Sequence, residues 1–167
     1  MKSIPLRHSG AAIIPVNIAT IDGIMMKTIS FIIDTGATTT AINKKWLIED
    51  LGYTEEWIRK NKLIIPKNEK PKMANGKYAD VYKIPITRIN IGGHELQLSD
   101  YILTSDTVEM RFLLGLDVLR FFKFTFDFDA IDNDAPHGRM FYELRKTCVQ
   151  PFTKLGEPFA HSLINTI

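Results

Sequence analysis

The run Ser30-Phe31-Ile32-Ile33-Asp34-Thr35-Gly36-Ala37-Thr38-Thr39-Thr40 constrains this chain more than any other stretch. Its apolar, strand-favouring residues stop at an acid, a small hydroxyl residue and a glycine. A strand that delivers Asp34 into a tight turn holds the carboxylate at one point in one orientation. Gly36 lets another group approach closely because it lacks a Cβ. Ala37 keeps the neighbourhood small, and Thr35 offers a hydroxyl able to lock the turn to nearby backbone. Taken alone, Asp-Thr-Gly is equally a polar turn closing a hairpin, since turns favour these residues anyway. Two later stretches separate the readings.

The 167 residues suit one domain or a domain with a tail, and 45% hydrophobic with 24% charged residues is ordinary for a globular chain with a proper core. A net charge of +2 gives no argument for a nucleic acid or a membrane partner. The apolar runs are far shorter than the ~20 residues that cross a bilayer. The single cysteine, Cys148, excludes an intrachain disulfide and fits a reducing compartment. With no signal peptide read at the N-terminus, the expected location is cytoplasmic. The four histidines (8, 94, 137 and 161) have no metal-ligand spacing. Asp132, Asp134 and Glu143 match positions one, three and twelve of a calcium loop, but Pro136 and His137 occupy positions five and six, where a ligand and a glycine are required. No metal and no cofactor are expected.

Along the chain, residues 11–19 read as a strand, Asp22-Gly23 as a hairpin tip, and residues 24–33 as the returning strand that ends at Asp34. Ala41, Ile42, Trp46, Leu47 and Leu51 recur at near-helical spacing up to a helix stop at Gly52. Thr54 caps a second short helix with Glu55 and Glu56 in its first turn and Arg59 and Lys60 near its end. Trp46 and Trp57 read as packing residues. A short strand at 63–65 and a polar loop lead to Lys72-Met73-Ala74-Asn75-Gly76-Lys77-Tyr78, where Asn-Gly signals a type I′ hairpin tip. Its arms carry few core-forming residues, so the hairpin is expected to be mobile. Residues 81–92 and 96–104 read as two further strands. Phe112-Leu113-Leu114-Gly115-Leu116-Asp117-Val118-Leu119 reads as strand, turn and short helix. Phe122, Phe124, Phe126 and Phe128 alternate with polar residues as a half-buried strand does, with residues 140–144 as its partner.

Three features stand in a fixed order: the strand into Asp34-Thr35-Gly36-Ala37, the Asn75-Gly76 hairpin, and Leu113-Leu114-Gly115-Leu116-Asp117 opening a helix. In this order the chain resembles the retropepsin-like aspartic proteases from about residue 13 to residue 144, and looks closer to their cellular and prokaryotic branch. Retroviral members commonly carry an acid after the Ala and an Arg after the second Gly. Thr38 and Leu116 stand at those positions here, so that ion pair is absent and retroviral cleavage preference does not transfer.

The resemblance implies an all-β fold with short helices: a closed β-barrel, one lobe per chain, in a homodimer. Residues 1–10 would be an N-terminal arm, 11–144 the protease domain, and 145–167 a tail at the dimer interface or over the groove. The activity implied is peptide-bond hydrolysis by two carboxylates that share one proton, since like charges so close cannot both ionise. One accepts a proton from water while the other donates to the scissile carbonyl oxygen. The chain has one Asp-Thr-Gly, so the second carboxylate must be Asp34 of another copy, and the homodimer is obligate for activity. In this scheme Asp34 is the acid/base and Thr35 bonds across the twofold axis. Gly36, Ala37 and Thr38 lie along an extended polypeptide substrate. Met73, Ala74, Asn75, Gly76 and Lys77 form a flap over it, and Gly115 and Asp117 support the active-site loop. The alternative is a non-catalytic domain of the same fold that binds peptide or protein.

Overall fold

The computed structural model describes residues 1–8, 11–23, 25–73, 75–98, 101–106 and 112–145. Ala74, Cys148 and the tail beyond residue 145 lie outside them. The fold is mostly β with a few short helices. In chain order it runs β1 (Lys2–Pro5), β2 (Ile13–Ala19), β3 (Met26–Ile33), β4 (Ala41–Asn43), α1 (Lys44–Leu51), α2 (Glu55–Asn61) and β5 (Leu63–Ile64). A 3-10 turn (Lys67–Glu69) follows. Next come β6 (Val81–Ile84), β7 (Arg88–Ile91), β8 (His94–Gln97), β9 (Ile102–Ser105), β10 (Phe112–Leu114), α3 (Leu116–Leu119), β11 (Phe122–Asp127) and β12 (Arg139–Leu144). Among the described residues no helix is long and apolar enough to cross a membrane.

β2 and β3 form the hairpin that carries the acid, in register from Ile13↔Ile32 to Ala19↔Met26. Period-two alternation decides its faces: Ile29 and Phe31 point into the core, while Ser30 and Ile32 face out. Phe31 packs against Phe112 with ring centroids 5.2 Å apart. The hairpin tip differs from the expected two-residue form, in which both tip residues take positive φ. Here Gly23 N–H closes onto Thr20 O at 2.9 Å, and Gly23 alone is left-handed.

Nine strands make one sheet in the order β5-β6-β9-β4-β10-β3-β2-β7-β8. The order is linear, so among the described residues the hydrogen-bonded ring expected of a closed barrel is not formed, and β5 and β8 are the edges. At ~4.8 Å between strands, nine strands laid flat would span nearly 40 Å. Yet one apolar cluster gathers Leu96 of β8, Ile14 of β2, Leu114 of β10 and Ile84 of β6, so the sheet curls around its core. A second sheet, β1-β12-β11, packs on the same core. Tyr142 ties the two sheets together: it is fully buried, and its hydroxyl donates to Gly92 O at 3.0 Å. A Cβ on Gly92 would fall 1.8 Å from that hydroxyl, so glycine is required there by contact as well as by its φ of +57°.

Both helices at 44–61 carry the caps their sequences signal. Asn43 accepts from Lys45 N–H and Thr54 from Trp57 N–H, and Gly52 closes α1 in the left-handed region. Ala41 and Ile42, read as helical, belong instead to β4, where Ile42 is buried opposite Thr104 and Phe112. Strand pairing on both sides outweighs a spacing that fits a helix only by coincidence. Residues 81–92 divide into β6 and β7 at Pro85, which lacks the N–H a strand interior needs. Residues 96–104 also divide: β8 pairs with β7 at the sheet edge, whereas β9 lies between β6 and β4.

Candidate active site

β3 ends at Ile33, and Asp34 N–H donates to Leu114 O of the parallel neighbour β10 at 3.1 Å. Asp34 is half-buried. Its Oδ1 accepts from Gly36 N–H at 2.8 Å, and its own carbonyl accepts from Ala37 N–H at 3.3 Å. Oδ2 has no partner among the described residues, so one carboxylate oxygen is held by the turn and the other is available. Gly36 does not have positive φ. Its small size matters through contact, because a Cβ there would lie 3.1 Å from Asp34 Oδ1. Thr35, Gly36 and Thr38 are exposed and Ala37 is half-buried.

The loop at 35–40 is crossed by the turn that follows β10. Gly115 passes so close that an added Cβ would meet the Thr39 backbone at 2.6–2.9 Å. Leu116 N–H donates to Ala37 O at 2.8 Å and Asp117 N–H to Thr38 O at 3.1 Å. The Asp117 carboxylate answers by accepting from Thr40 N–H at 3.0 Å, from the Thr40 hydroxyl at 2.8 Å and from Val118 N–H at 3.0 Å. Thr40 is fully buried, and its hydroxyl also accepts from Gly115 N–H at 3.1 Å. A buried hydroxyl with both roles filled between a charged acceptor and a backbone donor is a strong constraint on the loop. Thr40 is the site residue that the sequence reading missed: nothing local distinguishes it from Thr38 and Thr39. The available signal was its position immediately before a short apolar strand.

Met73, Asn75, Gly76 and Lys77 lie on a separate, exposed hairpin, and Ala74 falls outside the described residues. The Lys72↔Tyr78 bridge and a bond from Ala79 N–H to Pro71 O at 2.8 Å join its arms. Its tip is closed by Met73 N–H to Lys77 O at 2.8 Å and Gly76 N–H to Met73 O at 2.9 Å. Gly76 has φ +79° while Asn75 does not have positive φ, so this tip too departs from type I′. Among the described residues no hydrogen bond joins the hairpin to the Asp34 loop. The link is apolar: Ala79 and Val81 at the hairpin root pack with Ile65 and Leu103 in a small cluster that reaches Ala41, the residue after Thr40.

Two shallow polar depressions, of about 330 and 460 Å³, share Lys44, Glu55 and Asp106, and neither is lined by the Asp34 loop. Lys44 reaches Glu55 at 2.7 Å and Asp106 at 4.0 Å, and the Glu55 hydrogen bond raises its pKa. Burial, then a 2.8 Å bond to Asp106, raises that of Tyr82. This ion-pair network stabilises charges already paired and offers no free nucleophile. Among the described residues no group of three or more His, Cys, Asp or Glu is placed to hold a metal. Asp132 instead accepts from Arg139 and from the N–H groups of Asp134 and Ala135.

A family model described as "gag-polyprotein putative aspartyl protease" matches residues 19–121, from the end of β2 to just past α3. No curated protein matches the sequence. Solved structures with a similar fold include a retropepsin-like aspartic protease from Rickettsia conorii, at 21% identity and TM-score 0.46 over 77% of this chain and 83% of that one. Another is the EIAV protease complexed with the inhibitor HBY-793, at 16% identity and TM-score 0.47 over 70% and 92%. A third is the retroviral protease-like domain of Ddi1 from Leishmania major, at 17% identity and TM-score 0.45 over 82% and 96%. The family match spans well over half of the chain and contains both Asp34 and the Gly115–Asp117 turn that braces it, so the chain belongs to the retropepsin-like aspartic protease family.

Proposed function

We propose that this protein is an aspartic endopeptidase that works as a homodimer, with Asp34 of each copy forming the catalytic pair. The observation that carries the reading is the Asp34 carboxylate itself. It sits half-buried at a strand end, with one oxygen held by Gly36 N–H and a loop braced by Asp117 and Thr40. Such bracing is what preorganised catalysis requires, because a carboxylate that wanders loses its alignment with the substrate.

The chemistry follows from two carboxylates held about one hydrogen-bond length apart with one proton between them. The ionised member takes a proton from a bound water, whose oxygen attacks the scissile carbonyl carbon. The protonated member gives its proton to the carbonyl oxygen. Collapse of the tetrahedral species returns a proton from the carboxyl pair to the leaving amine. No covalent enzyme intermediate and no cofactor are needed. Thr35, exposed and without a side-chain partner among the described residues, would bond to the partner copy's loop. The 71–79 hairpin would close over the extended polypeptide and exclude water. The three-stranded β1-β12-β11 sheet, with half-buried Phe124 and Phe126 and the exposed Phe128, would supply subunit contact.

The test is cleavage of an unstructured protein across acid to neutral pH by the full chain and by Asp34→Asn, with sedimentation of both. Loss of cleavage by at least about a thousandfold in an intact Asp34→Asn dimer is expected. A clean dimer that cleaves nothing at any pH would favour the non-catalytic binding domain, and a strict monomer would remove the dyad altogether.

A further inference from the structure

The charge of the whole chain conceals a local excess. Residues 59–83 carry eight lysine or arginine side chains against two acidic ones, Glu69 and Asp80, while the chain as a whole is only +2. The remainder is therefore net acidic. This basic segment spans β5, the 3-10 turn and the flap hairpin. Lys67, Lys72 and Lys77 are exposed. The two shorter-range ion pairs of the segment use other cations, Lys60 with Glu56 and Lys70 with Asp80. Lys72 lies over the Tyr78 ring and pairs with no carboxylate among the described residues.

The same strip is apolar where the lysines are not. Leu63 is 48% and Ile64 72% exposed on β5, and Met73 is 39% exposed at the hairpin. β5 is also an outer strand of the nine-stranded sheet, with β6 on one side and, among the described residues, no strand on the other. An unpaired strand edge with exposed apolar side chains invites another extended chain to add to it. Flanking lysines then select which chain. Duplex or membrane surfaces present charge without the unpaired backbone groups a strand edge can bond. An extended acidic polypeptide with interspersed apolar residues matches all three properties.

We propose that β5 and the flap hairpin form a docking strip for an extended acidic polypeptide segment, which on the protease reading is the part of the substrate flanking the cleaved bond. The apolar cluster of Ile65, Ala79, Val81 and Leu103 roots this strip next to Ala41, one residue beyond the braced loop. Across β6 and β9, Leu63 of β5 stands in line with Ala41 of β4, at the end of the sheet that carries the braced loop.

Binding is read with the full-length Asp34→Asn protein, so that no cleavage intervenes. Fluorescence anisotropy compares a labelled peptide of alternating Glu and Val with equal-length Gln/Val and Lys/Val peptides. The Glu/Val peptide is expected to bind about tenfold tighter than Gln/Val at low salt, with the preference erased at about 1 M salt, where the screening length falls to about 3 Å. Lys67→Glu/Lys77→Glu should abolish the preference, and Ile64→Ser should weaken Glu/Val binding a few-fold without touching the core. Equal binding of the Glu/Val and Gln/Val peptides, a preference untouched by the charge reversals, or tighter binding of an oligonucleotide or an anionic vesicle would overturn the proposal. Parallel turnover of a neutral substrate by the unmodified protein separates the two readings. Turnover without acidic preference removes the docking strip alone, and acidic preference without turnover removes the protease reading alone.

Discussion

The loop at 34–40 and the hairpin at 71–79 both narrow to a glycine, and both would face the same substrate, yet they are held in different ways. The loop is fastened by hydrogen bonds from three directions: β10 through Leu114, the following turn through Leu116 and Asp117, and the buried Thr40 hydroxyl. Among the described residues the hairpin bonds only to itself, through the Lys72↔Tyr78 bridge, Ala79 N–H to Pro71 O and its tip bonds, with exposed side chains along it and its apolar anchor at the root. A group that must hold its orientation through a reaction is over-constrained, whereas a cover that must admit and release a chain is not. Perturbations of similar chemical size should therefore have unequal consequences in the two places.

The largest effect is expected from Asp117→Ala. It removes the acceptor for the Thr40 N–H and hydroxyl and leaves those buried donors without a partner, while Val118 N–H keeps Gly115 O. A loss of about 3 kcal/mol in unfolding free energy, read from the urea midpoint, is expected. An unchanged midpoint would mean that the clamp is not what holds the loop. Gly115→Ala comes next, since its methyl group would meet Thr39 backbone that cannot swing aside. About 2 kcal/mol of overpacking should appear in the same melt.

In the hairpin, Gly76→Ala meets no atom within 4 Å and suffers only from its φ of +79°. That strain of about 1 kcal/mol should surface as roughly fivefold faster amide exchange around residues 75–77, with the global midpoint unmoved. A shifted midpoint would show that the hairpin folds with the core, and the contrast would fail. The smallest effect serves as a reference outside both regions. The hydrogen bond from Arg139, with backbone N–H groups of Ala135 and Asp134, holds the exposed Asp132 carboxyl below its ordinary value of 3.8. A carboxyl whose pKa is depressed by folding stabilises the native state above that unfolded value, and the gain is lost as pH falls from there through the folded value. Asp132→Asn should slightly lower stability above about pH 4, where that gain is present, flatten the acid limb, and leave stability in stronger acid nearly unchanged.

Much of this molecule was legible along the chain wherever cause and effect lie within a few residues. The β2–β3 hairpin, the Asn43 and Thr54 caps, the Gly52 stop and the β11–β12 pairing all follow from alternation or from capping chemistry. The misreadings came where local spacing was ambiguous. Ala41 and Ile42 fit a helix by count but are claimed by β10 on one side and β9 on the other. The two glycine tips carried the right residues for a turn, yet the left-handed position fell on glycine alone in each.

By itself, then, the sequence determined that a strand would end in an acid, that glycines would allow tight crossings, and that Phe122 to Asp127 would form a half-buried strand. Only the tertiary structure decided that β10 inserts between β3 and β4, that the sheet runs open from β5 to β8, and that β1 pairs with β12. It also decided which of three consecutive threonines gives its hydroxyl to the Asp117 carboxylate, 77 residues away. The physical reason is range. Side-chain alternation and capping act between neighbours, whereas a hydrogen bond between distant residues depends on the order in which strands assemble around a common core.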